Sequence, residues 1–255
     1  MNALYQWWVL SARTTAPTLR GGAVVTAMLA PAVFTLGFFV PLELVMSFYG
    51  HGLSSYAQFL MPMIVLQAMA FTAISAAFHA ATDQVDGINR RFAAMPIVAW
   101  APLAARMTAT SVRCAVALAA AVVCGHVIGF RFVGGGAATA GFVVYAFGIG
   151  MALSLAGEVL GQYAKSPEAT TQVLMLPQLI LGMLSAGFAP VHQFPSWVQP
   201  FVANQPVTHF VYGLRALAGD SSGNAGPLSW VAVGWVVGLI VVCAPLAVSL
   251  NTRRP

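Results

Sequence analysis

Residues 82–106 read TDQVDGINRRFAAMPIVAWAPLAAR, the one place where several charges cluster between two long apolar runs. Val85, Ile88, Phe92 and Met95 recur at the spacing of one helical side, while Asp86, Asn89 and Arg90 fall opposite. Thr82 or Asp83 is placed to cap the start, because a side-chain oxygen there accepts from an otherwise unpaired amide. Pro96 supplies the stop. Asp86 precedes Arg90 by one helical turn, the favourable order for such a pair, worth about 0.2–0.5 kcal/mol. The pattern predicts an amphipathic helix over 83–95, roughly 20 Å long at about 1.5 Å per residue. Such a helix is too short and too polar to cross a bilayer and is expected to lie along the membrane surface, at the mouth of two spanning helices. A basic loop whose arginines only set orientation is the plainer alternative.

Apolar residues make up 59% of the chain and charged residues 7%, against about 25% charged in soluble domains. A water-facing surface cannot be built from so few charges, so the chain reads as an all-α polytopic membrane protein. The net charge of +5 comes from arginines scattered between apolar runs, which marks topology and not a nucleic-acid surface. Cys114, Cys124 and Cys243 all lie in apolar stretches without a CxxC pair, and read as small apolar fillers.

Residues 1–21 precede any long apolar run. Leu4, Trp7, Trp8 and Ser11 share a helical side there, which predicts an interfacial amphipathic helix. Six apolar segments follow at 22–42, 57–81, 104–129, 137–161, 170–189 and 228–250, each near the roughly 20 residues that cross about 30 Å of hydrocarbon. They define one transmembrane domain over 22–250, followed by a short tail at 251–255. An even number of spans puts both ends on one side. If that side is the cytoplasm, the inner segments hold Arg13, Arg20, Arg90, Arg91, Arg106, Arg113, Lys165, Arg253 and Arg254, and the outer loops only Arg131 and Arg215. This bias favours an N-in, C-in topology with 83–95 in the cytoplasm. Pro31, Pro62 and Pro177 are expected to kink their spans.

The stretch 190–215 is too broken by proline for a span and too aromatic for a free loop. It predicts short helices dipping into the outer interface, with rings at headgroup depth. Phe188, Pro190, Pro195, Trp197, Pro206, His209 and Arg215 are its candidate gate or interface residues.

No G-x-x-x-x-G-K-[ST] loop occurs, and Gly161–Ser166 lacks its spacing, so the phosphate-cradling turn of an ATPase is not encoded. No histidine and carboxylate grouping has metal spacing, and no nucleophilic triad can be assembled. Arg113 and Glu158 are expected at matching depth near the inner ends of the third and fourth spans, where each costs several kcal/mol unless paired. They are therefore expected to pair with each other. His79 and His126 read as hydrogen-bonded packing residues.

Two stretches resemble the membrane subunits of type-2 ABC exporters, in particular the daunorubicin-resistance permease group that includes mycobacterial phthiocerol-lipid exporters. DGINRRFAAMPIVAWAPLAAR (86–106) resembles the family's cytoplasmic segment, and 177–217, closing on Asn204, Gln205, Pro206 and Arg215, Ala216, Leu217, resembles its fifth span and outer segment. Asp86 stands where the family often has glutamate, and Gln205 separates Asn204 from Pro206. The resemblance implies a half-transporter in the bacterial cell membrane. It would pair with a second permease, identical or related, and with ATP-binding cassette subunits that carry ATP and Mg, this chain holding no cofactor or metal of its own. The 83–95 helix would be the coupling helix, with Asp86, Gly87, Arg90, Arg91, Phe92, Met95 and Pro96 meeting the ATPase. The cargo would be a hydrophobic lipid, polyketide or drug. Two other classes remain open on sequence: an ion-coupled secondary transporter or pore using Glu158 and the histidines, and a membrane scaffold without flux.

Overall fold

The computed structural model describes residues 3–20, 22–41, 56–98, 100–219 and 228–252. Among them the chain is helix and turn, without a strand. Helix α1 (Ala3–Arg20) leads into α2 (Gly22–Phe34), which continues through a π-helical turn at Thr35–Phe39. Then come α3 (Tyr56–Val85), the short α4 (Ile88–Ala94), α5 (Ala101–Val127), α6 (Gly135–Gln162) and α7 (Pro167–Met183). A 3-10 turn at Val191–Gln193 precedes α8 (Gln199–Asn204), α9 (Pro206–Ala218) and α10 (Trp230–Thr252). Met1, Asn2, Gly21, Leu42 and the tail beyond Thr252, with Arg253 and Arg254, lie outside the described residues.

Helices α3, α5, α6 and α10 are long and apolar enough to cross a membrane, with a shorter apolar stretch at Val24–Phe39. Burial orders them. α3 is covered on all sides over most of its length, whereas α10 exposes Trp230, Val231, Val237, Val241 and Val242. α3 is thus the axis, packed by α2, α5, α6, α7 and α9. Its closest neighbour is α6, where Gly157 and Gly161 leave no side chain between the helices. A Cβ at either position would strike the carbonyl oxygen of Ala73 or Ala77. This Gly-x-x-x-Gly spacing lets helix backbones approach in an apolar medium, where burial alone drives no association.

Three sequence expectations are corrected. α7 ends at Met183, so the fifth apolar run does not stay helical to 189. Residues 184–187 instead form a buried turn: the Ser185 hydroxyl donates to Gly182 O (2.6 Å) and Gly187 N donates to Ser185 Oγ (3.2 Å). This turn is packed under α3 and α9, with Ser185 against Met63 and Ala186 against Thr208. At the other end of α7, Ser166 Oγ accepts from Ala169 N (3.1 Å), with Pro167 at the first helical position, the sequence-coded start of a helix. Second, Leu4, Trp7, Trp8 and Ser11 do not act as one face. Trp7 Nε1 donates to Thr108 Oγ1 (3.2 Å) and Ser11 is buried, while Leu4 and Trp8 are exposed. Third, the amphipathic helix is not 83–95. α3 runs on through Val85, where Thr82 Oγ1 donates back to Phe78 O (2.9 Å) instead of capping, and Gly87 turns the chain at φ +68°. That left-handed conformation favours glycine, which has no Cβ to clash. The short helix is Ile88–Ala94, and the break splits the predicted stripe. Val85 and Met95 are exposed, and Ile88 and Phe92 are half-buried. Among the described residues the ion pairs do not include Asp86 with Arg90.

At the opposite end, α9 is built into the bundle. Phe210, Val211, Leu214 and Ala218 are buried, Thr208 Oγ1 accepts from Ala186 N (3.1 Å), and the Gln205 side chain donates to Leu184 O. Arg215 is buried and donates through Nη2 to Phe59 O (3.0 Å) and Gly187 O (3.1 Å), with its guanidinium 3.8 Å from the Phe59 ring centre. Arg215→Gln is expected to loosen this end. Losing a charged donor to buried carbonyls, worth about 1.5–3 kcal/mol, should speed limited proteolysis within 190–199 by roughly tenfold or more.

Candidate functional site

The Arg106 guanidinium sits where five helices meet at the α4 end of the bundle. It bonds Glu158 Oε1 on α6 through Nε (2.7 Å) and Nη2 (2.6 Å). Nη1 reaches Asp83 Oδ2 on α3 (3.4 Å) and Asn89 Oδ1 on α4 (3.2 Å), and Nη2 also donates to Asn251 Oδ1 on α10 (2.9 Å). Gln162 Nε2 donates to the same Glu158 oxygen (3.3 Å), and Asn89 Nδ2 donates to Gln84 Oε1 (3.2 Å). Arg106 is 9% exposed and Glu158 2%. Guanidinium suits this position because its rigid fork of donors serves several acceptors at once, which an ammonium on a flexible stem would not.

The expected pair of Glu158 with Arg113 is therefore replaced by Glu158 with Arg106. The reason is where α5 begins. Trp100 precedes the first turn and Pro102 lies within it, so Arg106 is already helical and level with Glu158. Arg113 stands about two turns further along and bonds Thr110 Oγ1 through Nη2 (2.7 Å). His126 is exposed, with its Nδ1 2.8 Å from Val122 O and its ring against Phe130 and Phe132.

Of the seven residues proposed to meet an ATPase, Asp86, Arg90, Arg91, Met95 and Pro96 are exposed around α4, with Gly87 and Phe92 half-buried. They surround one short helix whose inward side is tied to Arg106 through Asn89. Of the outer set, Phe188 and Arg215 come together, since Arg215 bonds the carbonyl just before Phe188, whose ring packs on Phe38 at 4.7 Å, while Pro206 opens α9. Pro195 and Trp197 lie on the surface, and Pro190 and His209 are half-buried.

Arg106 itself was read from sequence as an ordinary loop charge, and Asp83, Asn89, Gln162 and Asn251 were not linked to it. Arg106 stands at the start of an apolar run and Asn251 just past the end of another, which does not by itself bring them together.

The model of ABC-2 family transporter proteins matches residues 20–249. The chain belongs to the ABC-2 transporter family. Among its relatives is a doxorubicin resistance ABC transporter permease protein, DrrB, of Mycobacterium tuberculosis, 40% identical over 98% of this chain and 90% of the relative. A probable doxorubicin resistance permease of the same species, DrrC, is 27% identical over 88% and 80%. The daunorubicin resistance permease DrrB1 of Streptomyces coeruleorubidus is 28% identical over 91% and 80%. No solved structure matches. As an ABC-2 permease the chain is the membrane subunit of an ABC exporter, multi-pass in the bacterial cell membrane, and this role implies a partner ATPase.

Proposed function

We propose that α2, α3, α5, α6, α7 and α10 cross the membrane with both chain ends in the cytoplasm, and that α4 couples this permease to its ATPase. The observation that carries the reading is the Arg106 centre. A push on α4 is felt at Asn89, and through the Arg106 guanidinium it reaches α3, α5, α6 and α10 together. Arg90, Arg91 and Met95 on the exposed side of α4 would engage an acidic and apolar groove on the ATPase, which holds ATP and Mg. Coupling of this kind requires a contact that differs between two states of the machine, and α4 supplies one that spans most of the bundle. A second permease, identical or related, would complete the pathway. The cargo would be a hydrophobic or amphiphilic molecule, a drug as in the relatives' names or a lipid.

The test is copurification of the full chain with its partner ATPase. Wild type should retain the ATPase, and Arg90→Glu combined with Phe92→Ala should lose it by at least about tenfold, the effect of removing one or two interface anchors. The permease itself should elute unchanged, because Arg90 is exposed and Phe92 half-buried. Undiminished copurification of the double variant would move docking away from α4.

A further inference from the structure

Arg113, like Arg215, is a buried cation that the Arg106 centre does not use. It lies about two turns beyond Arg106, roughly 10 Å along α5 at about 1.5 Å per residue, and is 6% exposed. Beyond its bond to Thr110, its Nε is buried with no hydrogen-bond partner. Among the described residues no carboxylate lies within 4 Å of it, both ion pairs being made by Arg106. Asp83, Glu158 and Arg106 sum to one negative charge, so Arg113 balances them without touching them. A buried guanidinium with a spare donor is costly until an acceptor is supplied.

The side chain borders a cavity of ≈ 460 Å³ between α2, α3, α5 and α7. Ala30, Phe71, Ile74 and Phe78 form its apolar wall, and Glu168 lines it from the first turn of α7. The cavity runs from Arg113, at the middle of α5, toward the α4 end of the bundle, where Glu168 stands in the first turn of α7. Its volume suits a headgroup and the start of a chain. Outside it, apolar side chains continue along α2 and α7, where Met28, Leu29, Val173 and Leu176 are all exposed.

We propose that this cavity binds one acidic amphiphile from the adjoining leaflet, with phosphate or carboxylate oxygens on Arg113 and the chain along Phe71, Ile74 and Phe78. The planar guanidinium fork matches both kinds of oxyanion, and Thr72, Ser75 and Gln172 also line the cavity as polar groups. Glu168 opposes the anion, so neutralising it should tighten binding. The inference goes beyond the exporter reading and does not depend on it.

The test uses the purified full chain without any ATPase. It is titrated with dioleoylphosphatidylglycerol, dioleoylphosphatidylcholine, oleate and inorganic phosphate, with occupancy counted by native mass spectrometry. Phosphatidylglycerol and oleate should compete for one site per chain, phosphatidylcholine should bind about tenfold more weakly, and inorganic phosphate alone should displace neither lipid. Arg113→Gln should erase the preference, Arg113→Lys should keep part of it, Ala30→Phe should block the site without altering charge, and Glu168→Gln should strengthen it. The proposal is overturned if Arg113→Gln and Ala30→Phe both keep the preference, or if Glu168→Gln weakens it. Displacement by inorganic phosphate alone would overturn the assignment to an amphiphile. Failure of the ATPase to copurify bears on α4 only and leaves this binding result standing.

Discussion

Glu158→Gln is expected to produce a permease that barely survives extraction. Glu158 accepts two bonds from Arg106 and is 2% exposed, so its neutralisation leaves a guanidinium buried with only the weaker contacts to Asp83, Asn89 and Asn251. Removing one partner of a buried pair costs about 3–5 kcal/mol, since the other charge stays desolvated. For a chain of this size that corresponds to a thermal midpoint lower by roughly 10 °C, readable by heating and fluorescence-detected gel filtration. Reversing the pair, Arg106→Glu with Glu158→Arg, should recover only part of the loss, because the new glutamate would face Asp83. The informative variant is Arg106→Met with Glu158→Leu. Apolar replacement of a buried pair is often neutral for stability, so this protein should fold. It would lack every tie from Asn89 to the bundle that runs through Arg106, and ATP-driven transport should fall at least about tenfold. If that variant both folds and transports normally, the centre is only structural.

The second large effect concerns a single methyl group. Gly161→Ala places a carbon against the Ala77 carbonyl oxygen, and Gly157→Ala does the same at Ala73. Neither obstacle is a side chain that can rotate away, so α3 and α6 must separate. Overpacking of a rigid interface costs about 1–3 kcal/mol per site, and here it opens the most closely packed seam of the bundle. The double variant should lose its monodisperse peak. Gly148→Ala, on the same helix, meets only Val236 Cγ1 at 3.8 Å and should behave as wild type. Equal behaviour of the two would mean that the seam is not what holds the core.

The sequence was informative about elements and less so about partners. The apolar runs, the proline-broken stretch after α7 and the charged segment at 82–106 all mark real features, because hydrophobicity and proline act locally. The extent of α4 was misjudged because periodicity ran through Gly87, and a glycine permits a left-handed turn without demanding one. The partner of Glu158 was misjudged for a different reason. Depth estimated from span edges is uncertain by several residues, and about two turns separate Arg106 from Arg113 on α5. The Gly157-x-x-x-Gly161 seam was fully written in the sequence, yet small residues are so frequent in this chain that only the fold singles out the pair that meets α3.

The hold of α1 on α5 sets an order of events at the ribosome. Gln6 accepts from Val98 N, Trp7 donates to Thr108 and Thr14 to Ala105 O, partners 91 to 101 residues apart. At about 5–20 residues per second, the first helix waits on the order of 5–20 s before its acceptors exist. During that time Trp7 and Thr14 are without the α5 partners that hold the helix in place. The hydrogen bonds that fix α1 thus form only after α5 has been made.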